Sequence, residues 1–447
     1  MFLAKERQRQ KGVVVVQRKL GTFFDELEIM PPREREKYFT QKLAESINYG
    51  YQNAPLVREI FDRAGVSPSD IKTAKDLEKI PITRKTDLIE LQRLKPPYGG
   101  FLTISPEDIG EIFISPGPIY EPQFGPYGKG KVSWFVKAFH AAGFRRGDTV
   151  VNTFTYHMSP AGICIHQGLE ECGATVIPTG VGNTETQVQT MRDLKVTGFV
   201  GTPSFLMTLI ERAESMGYDF RRDFTLQRAW FIGEMLPASL RKSFEEDYGI
   251  STSQAYGTTE VGGTFAYECS QKCGMHMSEG YILEIVNPET GKQLGPGEVG
   301  EIVVTPLFPF NKAYSLIRFG TGDMSYYTDE PCACSRTSNR LVAIVGRTGD
   351  AIKVRGMFIV AKQAEQVFAS FDQISNFQIV VSRKEQRDEM IFNIELGEET
   401  IDKSILANDL NKKFQELCRV KADKIEFVPE GTIPEKHETI LDTRTWD

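Results

Sequence analysis

DTVVNTF at 148–154, GATVIPT at 173–179, VTGFVGTP at 196–203 and RAWFIGE at 228–234 decide how this chain folds. Each is a short β-branched or aromatic run that ends near Gly or Pro, as buried strands do. Helix-like segments fill the intervals between them. Strands alternating with helices imply a parallel sheet covered by helices, and such sheets bind ligands beyond the carboxyl ends of their strands. The rhythm runs from about residue 110 to about 235.

Working outward, residues 1–65 read as helical, with apolar positions three and four apart through LAESINYGYQNAPLVREIFDRAGV. SPSD at 67–70 supplies a turn and a helix cap. After 280 the pattern changes: YILEIVNPETGKQLGPGEVGEIVVTPL reads as two strands around a Gly/Pro-rich turn, a small β-subdomain. GRTGD at 346–350 marks a boundary, and beyond it AIKVRGMFIV, AKQAEQVF, NFQIVVSR, EMIFNIEL, DLNKKFQEL and KIEFVP have α+β character. The expected fold is therefore α/β: a large multi-layer N-terminal domain with a β-subdomain at 1–348, and a small mobile α+β domain at 349–447. Internal repeats and low-complexity linkers are absent from the sequence.

At 447 residues, 40% hydrophobic and 25% charged, the chain can bury one large core and one smaller one. A net charge of −7 argues against a nucleic-acid surface, and PPREREKYF reads as a solvated helix face. No apolar run approaches the roughly 18 residues of a membrane helix, and the charged N-terminus lacks the core of a signal peptide. Seven cysteines, an odd number, fit a reducing cytoplasm better than a disulfide framework.

The sharpest chemical signal is SQAYGTTEVGG at 253–263. Gly257 lets backbone approach a ligand closely, the hydroxyls of Thr258 and Thr259 suit a phosphate, and the Glu260 carboxylate suits Mg²⁺ bridging phosphate oxygens. Tyr256 can stack on a base. A polar turn after a strand is the plainer alternative. RFGTGDM at 318–324 presents Asp323 in a Gly-rich turn, able to meet ribose hydroxyls or to serve the turn alone; FIGEM at 231–235 ends a strand with Gly233 and Glu234. Cys269, Cys273 and His276 form C-x3-C-x2-H, and Cys332 and Cys334 form C-x-C. These five exceed the four ligands of tetrahedral Zn²⁺, and reduced free thiols are the other reading. Cys164, Cys172 and Cys418 read as small apolar core residues.

Taken in order, AYGTTEVGGTFAYEC, GEVGEIVVTPL, LIRFGTGD, GRTGDAIKVRGMFIVAKQAEQVF, GATVIPTGVGNTETQ and GTPSFLMTL resemble the adenylate-forming acyl- and aryl-CoA ligases, in their phenylacetate–CoA ligase branch. The resemblance runs from about residue 40 to the C-terminus. It gives a meaning to SPGPIYEP at 115–122, which follows the apolar EIFI. The family has a loop of the form S-S-G-T-T-G-x-P there that wraps the phosphates of ATP. Ser115, Gly117 and Pro122 keep its register, while PIY replaces Thr-Thr-Gly. Backbone N–H groups can still bind an anion, although Pro116 and Pro118 each remove a donor.

The resemblance further implies that Asp323 takes the ribose hydroxyls, that Tyr256, Gly233 and Glu234 surround the adenine, and that Glu260 holds Mg²⁺. Arg347 would approach the ribose or a phosphate, with Gly349 as a flexible joint. In PEKHETILDTR, Lys436 falls six residues before Asp442 and takes the place of the adenylation lysine, without the family's preceding glycine; a solvated tail lysine is the alternative. His157, in TYHMSPAG, occupies the stretch that lines the acyl pocket, and is otherwise a packed core histidine. For the metal the implied set is Cys269, His276, Cys332 and Cys334 around structural Zn²⁺, with Cys273 spare. The implied reaction is AMP-forming: a small carboxylic acid attacks ATP to give acyl-AMP, and coenzyme A displaces AMP after the C-terminal domain turns and brings the Gly356 loop to the site. Arylacetates or short branched hydroxy acids are the implied substrates, in the cytoplasm, with a homodimer compatible. The rival expectation is a non-catalytic nucleotide- or acyl-binding protein that has lost ATP chemistry.

Overall fold

The computed structural model describes residues 23–115, 117–125, 135–298, 300–348, 351–355, 357–384, 387–397, 402–418 and 420–445. It divides into two compact units, Met1–Gly346 and Arg347–Asp447.

In the first unit a hairpin, β1 (Ile109–Ser115) and β2 (Ile119–Phe124), precedes the main sheet. The sheet contains β3 (Thr149–Asn152), β4 (Thr175–Ile177), β5 (Gly198–Gly201), β6 (Arg228–Phe231) and β7 (Ser251–Gly257). It continues through β8 (Thr264–Glu268), β9 (Met275–Met277), β10 (Tyr281–Val286), β11 (Gly300–Pro306), β12 (Phe319–Thr328) and β13 (Arg340–Arg347). The spatial order is β10-β11-β12-β13-β9-β8-β7-β6-β5-β3-β4, and the short strand Thr83–Arg84 lies parallel to β12. The strands read from the β-branched runs are the parallel half, β4-β3-β5-β6-β7. The expected β-subdomain is the antiparallel half of the same hydrogen-bonded path, reached where β8 turns back against β7.

Side-chain alternation explains why the parallel half is covered on both faces. Val151, Phe199, Ala229 and Phe231 face one core with Val188, Met191, Leu206 and Leu209 of helices Thr184–Asp193 and Pro203–Ser215. Their neighbours Val150, Val200 and Trp230 face another, with Phe139, Ile165 and Leu169 of helices Val136–Ala141 and Pro160–Glu171. The second strand in the chain, β4, sits outside the first, so the order reverses between β3 and β5. That reversal opens a crevice beyond Asn152 and Gly201, where sheets of this type place ligands. Helices Pro32–Asn53, Pro55–Ala64 and Lys85–Leu94 pack on the antiparallel half through Leu43, Ile47, Phe61 and Leu88.

In the second unit β14 (Ala351–Val354) pairs with β15 (Met357–Val360), and helix Ala361–Phe368 follows. A further sheet joins β16 (Ile374–Lys384) and β17 (Arg387–Leu396) antiparallel. After helix Lys403–Cys418, β18 (Lys424–Phe427) pairs parallel to β17 and β19 (Ile440–Asp442) parallel to β16. Phe368 stacks on Phe377 at 3.8 Å between ring centroids, and Phe392 and Phe414 complete this core. The chain is thus α/β in its larger unit and α+β in its smaller. No described helix is long and apolar enough to cross a membrane.

Candidate active site

The end of β7 brings separate sequence blocks together. Tyr256 donates its phenol to Asp323 Oδ2 at 2.7 Å, across 67 positions of sequence. Asp323, on β12, is held in turn by its own N–H donating to Thr321 Oγ1 at 3.2 Å. Gly257 follows where β7 and β8 cross closely: a Cβ there would lie 2.0 Å from the Gly263 carbonyl oxygen, so no other residue fits without moving backbone. Thr258, Thr259 and Glu260 come next, with Glu260 buried and the Thr259 hydroxyl 3.4 Å from its Oε2.

The stretch SPGPIYEP is a tight hairpin connection rather than an open loop, with Ser115 paired to Ile119. Pro116 lies outside the described residues. Ser115 donates its hydroxyl to Glu121 Oε1 at 2.6 Å, so this side chain is engaged within the protein. Gly117 faces apolar groups: a Cβ there would meet Ile119 Cγ1 at 2.9 Å and Ile89 Cγ1 at 3.3 Å. Gln92 clamps the hairpin to helix Lys85–Leu94, donating to the Tyr120 carbonyl at 2.9 Å and accepting from its N–H at 2.8 Å.

Two residues without any local sequence signal complete this cluster. Lys85 Nζ lies 2.7 Å from Glu260 Oε1. Burial, with the Glu260 charge second, pushes the Glu121 carboxyl up to about 8. Burial acts on Glu260 in the same direction, but the Lys85 ammonium and the hydrogen bonds outweigh it and hold Glu260 below the ordinary range. The sign for Glu121 follows. Its folded-state value exceeds the ordinary 4.5, so the folded chain keeps a proton that the unfolded chain releases. Its contribution to stability falls as pH rises from about 4.5 to about 8. Glu121→Gln should therefore raise the melting temperature more at about pH 8.5 than at about pH 5, by roughly 2–4 °C for each kcal/mol relieved. Equal changes at the two pH values would count against this assignment.

At the crevice beyond β3, Asn152 donates to Tyr156 Oη at 2.9 Å and to the Gly162 carbonyl at 2.8 Å. Tyr156 Oη lies 3.0 Å from His166 Nδ1, a pairing that sequence reading missed. His157 is exposed, which removes the packed-core reading, and its N–H donates to Thr155 Oγ1 at 3.1 Å. Ile114 N–H donates to the Met158 carbonyl at 2.8 Å, tying the hairpin to this segment. Across the crevice, Gly233 has φ +87°, a left-handed turn that glycine tolerates. It sets Glu234 at the start of helix Pro203–Ser215, where Oε2 accepts from the Ser204 hydroxyl at 2.6 Å and the Ser204 N–H at 3.2 Å.

A second cluster lies at the β8–β9 turn and the β12–β13 loop. The ligand atoms of Cys269, His276, Cys332 and Cys334 all lie within 4.8 Å of one another. His276 Nε2 is 3.3 Å from Cys334 Sγ, while Nδ1 is 3.2 Å from Ser338 Oγ, which orients the ring. Backbone N–H groups of Gln271 and Arg336 donate to Cys269 and Cys334 sulfurs, each at 3.4 Å. Cys273 is exposed at the edge, 3.9 Å from Cys332 Sγ.

The second unit carries the remaining candidates. Arg347, the last residue of β13, is half-buried. Lys436 is exposed, next to His437, whose ring nitrogens lie 2.7 Å from the Pro434 carbonyl oxygen and 2.9 Å from that of Phe377. Gly349 and Gly356 lie outside the described residues.

Residues 130–306 match the AMP-binding enzyme family, and residues 356–444 match the AMP-binding enzyme C-terminal domain. The phenylacetate-coenzyme A ligase of Thermus thermophilus is 30% identical, over 94% of this chain and 99% of the relative. That of Escherichia coli is also 30% identical, over 93% and 95% respectively. Among solved structures, a 2-hydroxyisobutyryl-CoA ligase in complex with 2-HIB-AMP and CoA is similar in fold, with a TM-score of 0.85 at 24% identity, covering 94% of this chain and 92% of that one.

Proposed function

Because the chain belongs to the adenylate-forming AMP-binding enzymes, in their phenylacetate–CoA ligase-like branch, we propose that it joins a small carboxylic acid to coenzyme A through an acyl-adenylate. The observation that carries this reading is the Tyr256–Asp323 hydrogen bond, 2.7 Å long. It joins the aromatic side chain expected beside the base to the carboxylate expected on the ribose, and so gives one nucleoside two contacts on a single rigid element. Gly257 leaves room for phosphate beside the Thr258 and Thr259 hydroxyls. Gly233 and Glu234, held by Ser204, bound the adenine side.

A free carboxylate is a poor acyl donor, because its leaving group is oxide or hydroxide; esterification to AMP supplies a good one. The chain's work is then alignment and neutralisation of charge. The acid carboxylate attacks the α-phosphorus, pyrophosphate leaves, and the thiol of coenzyme A later displaces AMP from the acyl carbon. Lys436 and Arg347, on the second unit, are the cations we assign to the phosphates. Arylacetates and short branched hydroxy acids are the substrate classes, with His157 and Tyr156 at the acyl end.

Two metals fit the donors present. The buried Glu260 carboxylate with the Thr258 and Thr259 hydroxyls offers hard oxygens, which suit Mg²⁺; when bound it neutralises phosphate charge. The three thiols and the His276 imidazole suit Zn²⁺, which would tie two loops together and take no part in the chemistry. All the described cysteines are free, in keeping with a reducing cytoplasm.

The test is pyrophosphate release from ATP with a panel of arylacetic, benzoic and short branched hydroxy acids, with and without coenzyme A. We expect release with at least one acid and an acyl-CoA product when coenzyme A is present. ATP binding without pyrophosphate from any acid would replace this reading with that of a non-catalytic nucleotide-binding protein.

A further inference from the structure

The hairpin that replaces the hydroxyl-rich phosphate loop brings in a carboxyl group at the position the family motif leaves open. Glu121 is 3% exposed and Glu260 is 7% exposed. Glu121 Oε1 accepts from Ser115, and Oε2 has no hydrogen-bond partner among the described residues. The Glu260 charge and the Lys85 ammonium both act on Glu121, so its carboxyl lies within the same small pocket as the 2.7 Å Lys85–Glu260 pair. The Thr259 hydroxyl adds a fifth oxygen at its wall. Two buried carboxyls facing one ammonium leave the pocket short of positive charge, and a buried carboxylate oxygen without a partner is costly. A hard dication with oxygen ligands corrects both at once.

We propose that Glu121 and Glu260 together form a divalent-cation site, with Lys85 as the counter-ion that occupies it when no metal is bound. This goes beyond the role of Glu260 alone in the function proposed above, on which it rests only for the purpose the cation serves. It also gives the altered loop a function. Where hydroxyls would wrap phosphates directly, the hairpin supplies a second carboxylate that fixes the cation, and the cation in turn meets the phosphates. Ser115 holds one Glu121 oxygen and leaves the other aimed at the metal.

Mn²⁺ is the probe, added to the full-length protein without nucleotide and followed through loss of the free-ion electron paramagnetic resonance signal. The wild type should bind about one Mn²⁺ per chain, as a single carboxylate-lined centre does. Glu121→Gln and Glu260→Gln should each weaken binding about tenfold or more, since removing one charged ligand is the main lever on such affinities. Lys85→Met should tighten binding, because it removes the competing ammonium. That third change runs in the opposite direction, so general damage to the fold cannot imitate it. Wild-type affinity in Glu121→Gln, or no Mn²⁺ bound by the wild type at millimolar concentration, would overturn the proposal. Protein that releases pyrophosphate yet binds no Mn²⁺ alone refutes this site and leaves the ligase reading intact. Mn²⁺ binding through both carboxylates in protein inactive with every acid does the reverse.

Discussion

Lys436→Ala is expected to slow acyl-adenylate formation by about 10²–10³-fold, the usual loss when one charge-stabilising donor is removed. The same variant, supplied with preformed acyl-adenylate and coenzyme A, should make thioester at close to the normal rate. The asymmetry follows from where charge develops. In the first step a carboxylate anion closes on a polyanionic phosphate, and an ammonium there acts more strongly on the transition state than on the ground state. In the second, a thiol attacks an acyl carbon and AMP departs with its charge already formed. Lys436 is exposed, so truncation should leave stability within about 0.5 kcal/mol, as for other surface changes, and the rate effect can be read directly. The loop that carries it is independently fixed. His437 reaches two carbonyl oxygens, and Ile433 N–H donates to Glu395 Oε1 at 2.7 Å. Asp442 and Arg444, the two residues that set the lysine's register in the sequence, are engaged with each other and with Asp388, whose Oδ2 lies 3.1 Å from Arg444 Nη1. They therefore anchor β19 and leave the loop before it to present Lys436. If both half-reactions slow equally, or neither does, the lysine is misassigned.

Most of the fold was legible because its signals are local. The runs around Val150, Phe199 and Trp230 are apolar on successive residues, which only a strand buried on both faces requires. What periodicity does not carry is strand order: nothing in GATVIPT says that β4 lies outside β3, and so the crevice beyond Asn152 had to come from the structure. The site divides in the same way. Gly257, Thr258, Thr259 and Glu260 are consecutive, and Asp323 sits in a recognisable Gly-rich turn, so residue type and spacing were enough to nominate them. Lys85 had no such signal, because its partner Glu260 is distant in sequence and reaches it only through the packing of helix Lys85–Leu94. Glu121 stood inside the eight quoted residues and was still passed over, since reading that stretch as a phosphate loop gave weight to its hydroxyl and glycine. Ser115 was visible as a hydroxyl; that it is turned inward to Glu121 is a tertiary fact.

Removing Zn²⁺ from the Cys/His cluster should give the largest loss of stability of any change considered. The protein purified without added metal should carry about one zinc per chain by elemental analysis, and chelation should lower its melting temperature by roughly 10 °C or more, equivalent to several kcal/mol in a domain of this kind. Cys269→Ser and Cys332→Ser should lose the metal. Cys273→Ser should keep it, because that thiol is exposed at the edge while the other four donors lie within 4.8 Å of one another. The argument for a large effect lies in what hangs from the loop. Two residues after Cys334, the fully buried Arg336 donates from Nε to Glu28 at 2.7 Å, and Tyr267 donates to the same carboxylate oxygen at 2.8 Å. Thr337 adjoins and donates to the Met30 carbonyl at 2.7 Å. Without the metal the 332–338 loop has few apolar contacts to hold it, and its loosening would strand the Glu28 charge in the interior, a defect that costs about 3–5 kcal/mol when one partner of a buried pair is lost. Proteolysis after chelation should therefore cut first near residues 23–31 and 330–338, at two places distant in sequence that the cluster holds together. Metal-free protein with unchanged melting and unchanged cleavage would show that the four donors are reduced thiols and a histidine with no structural metal.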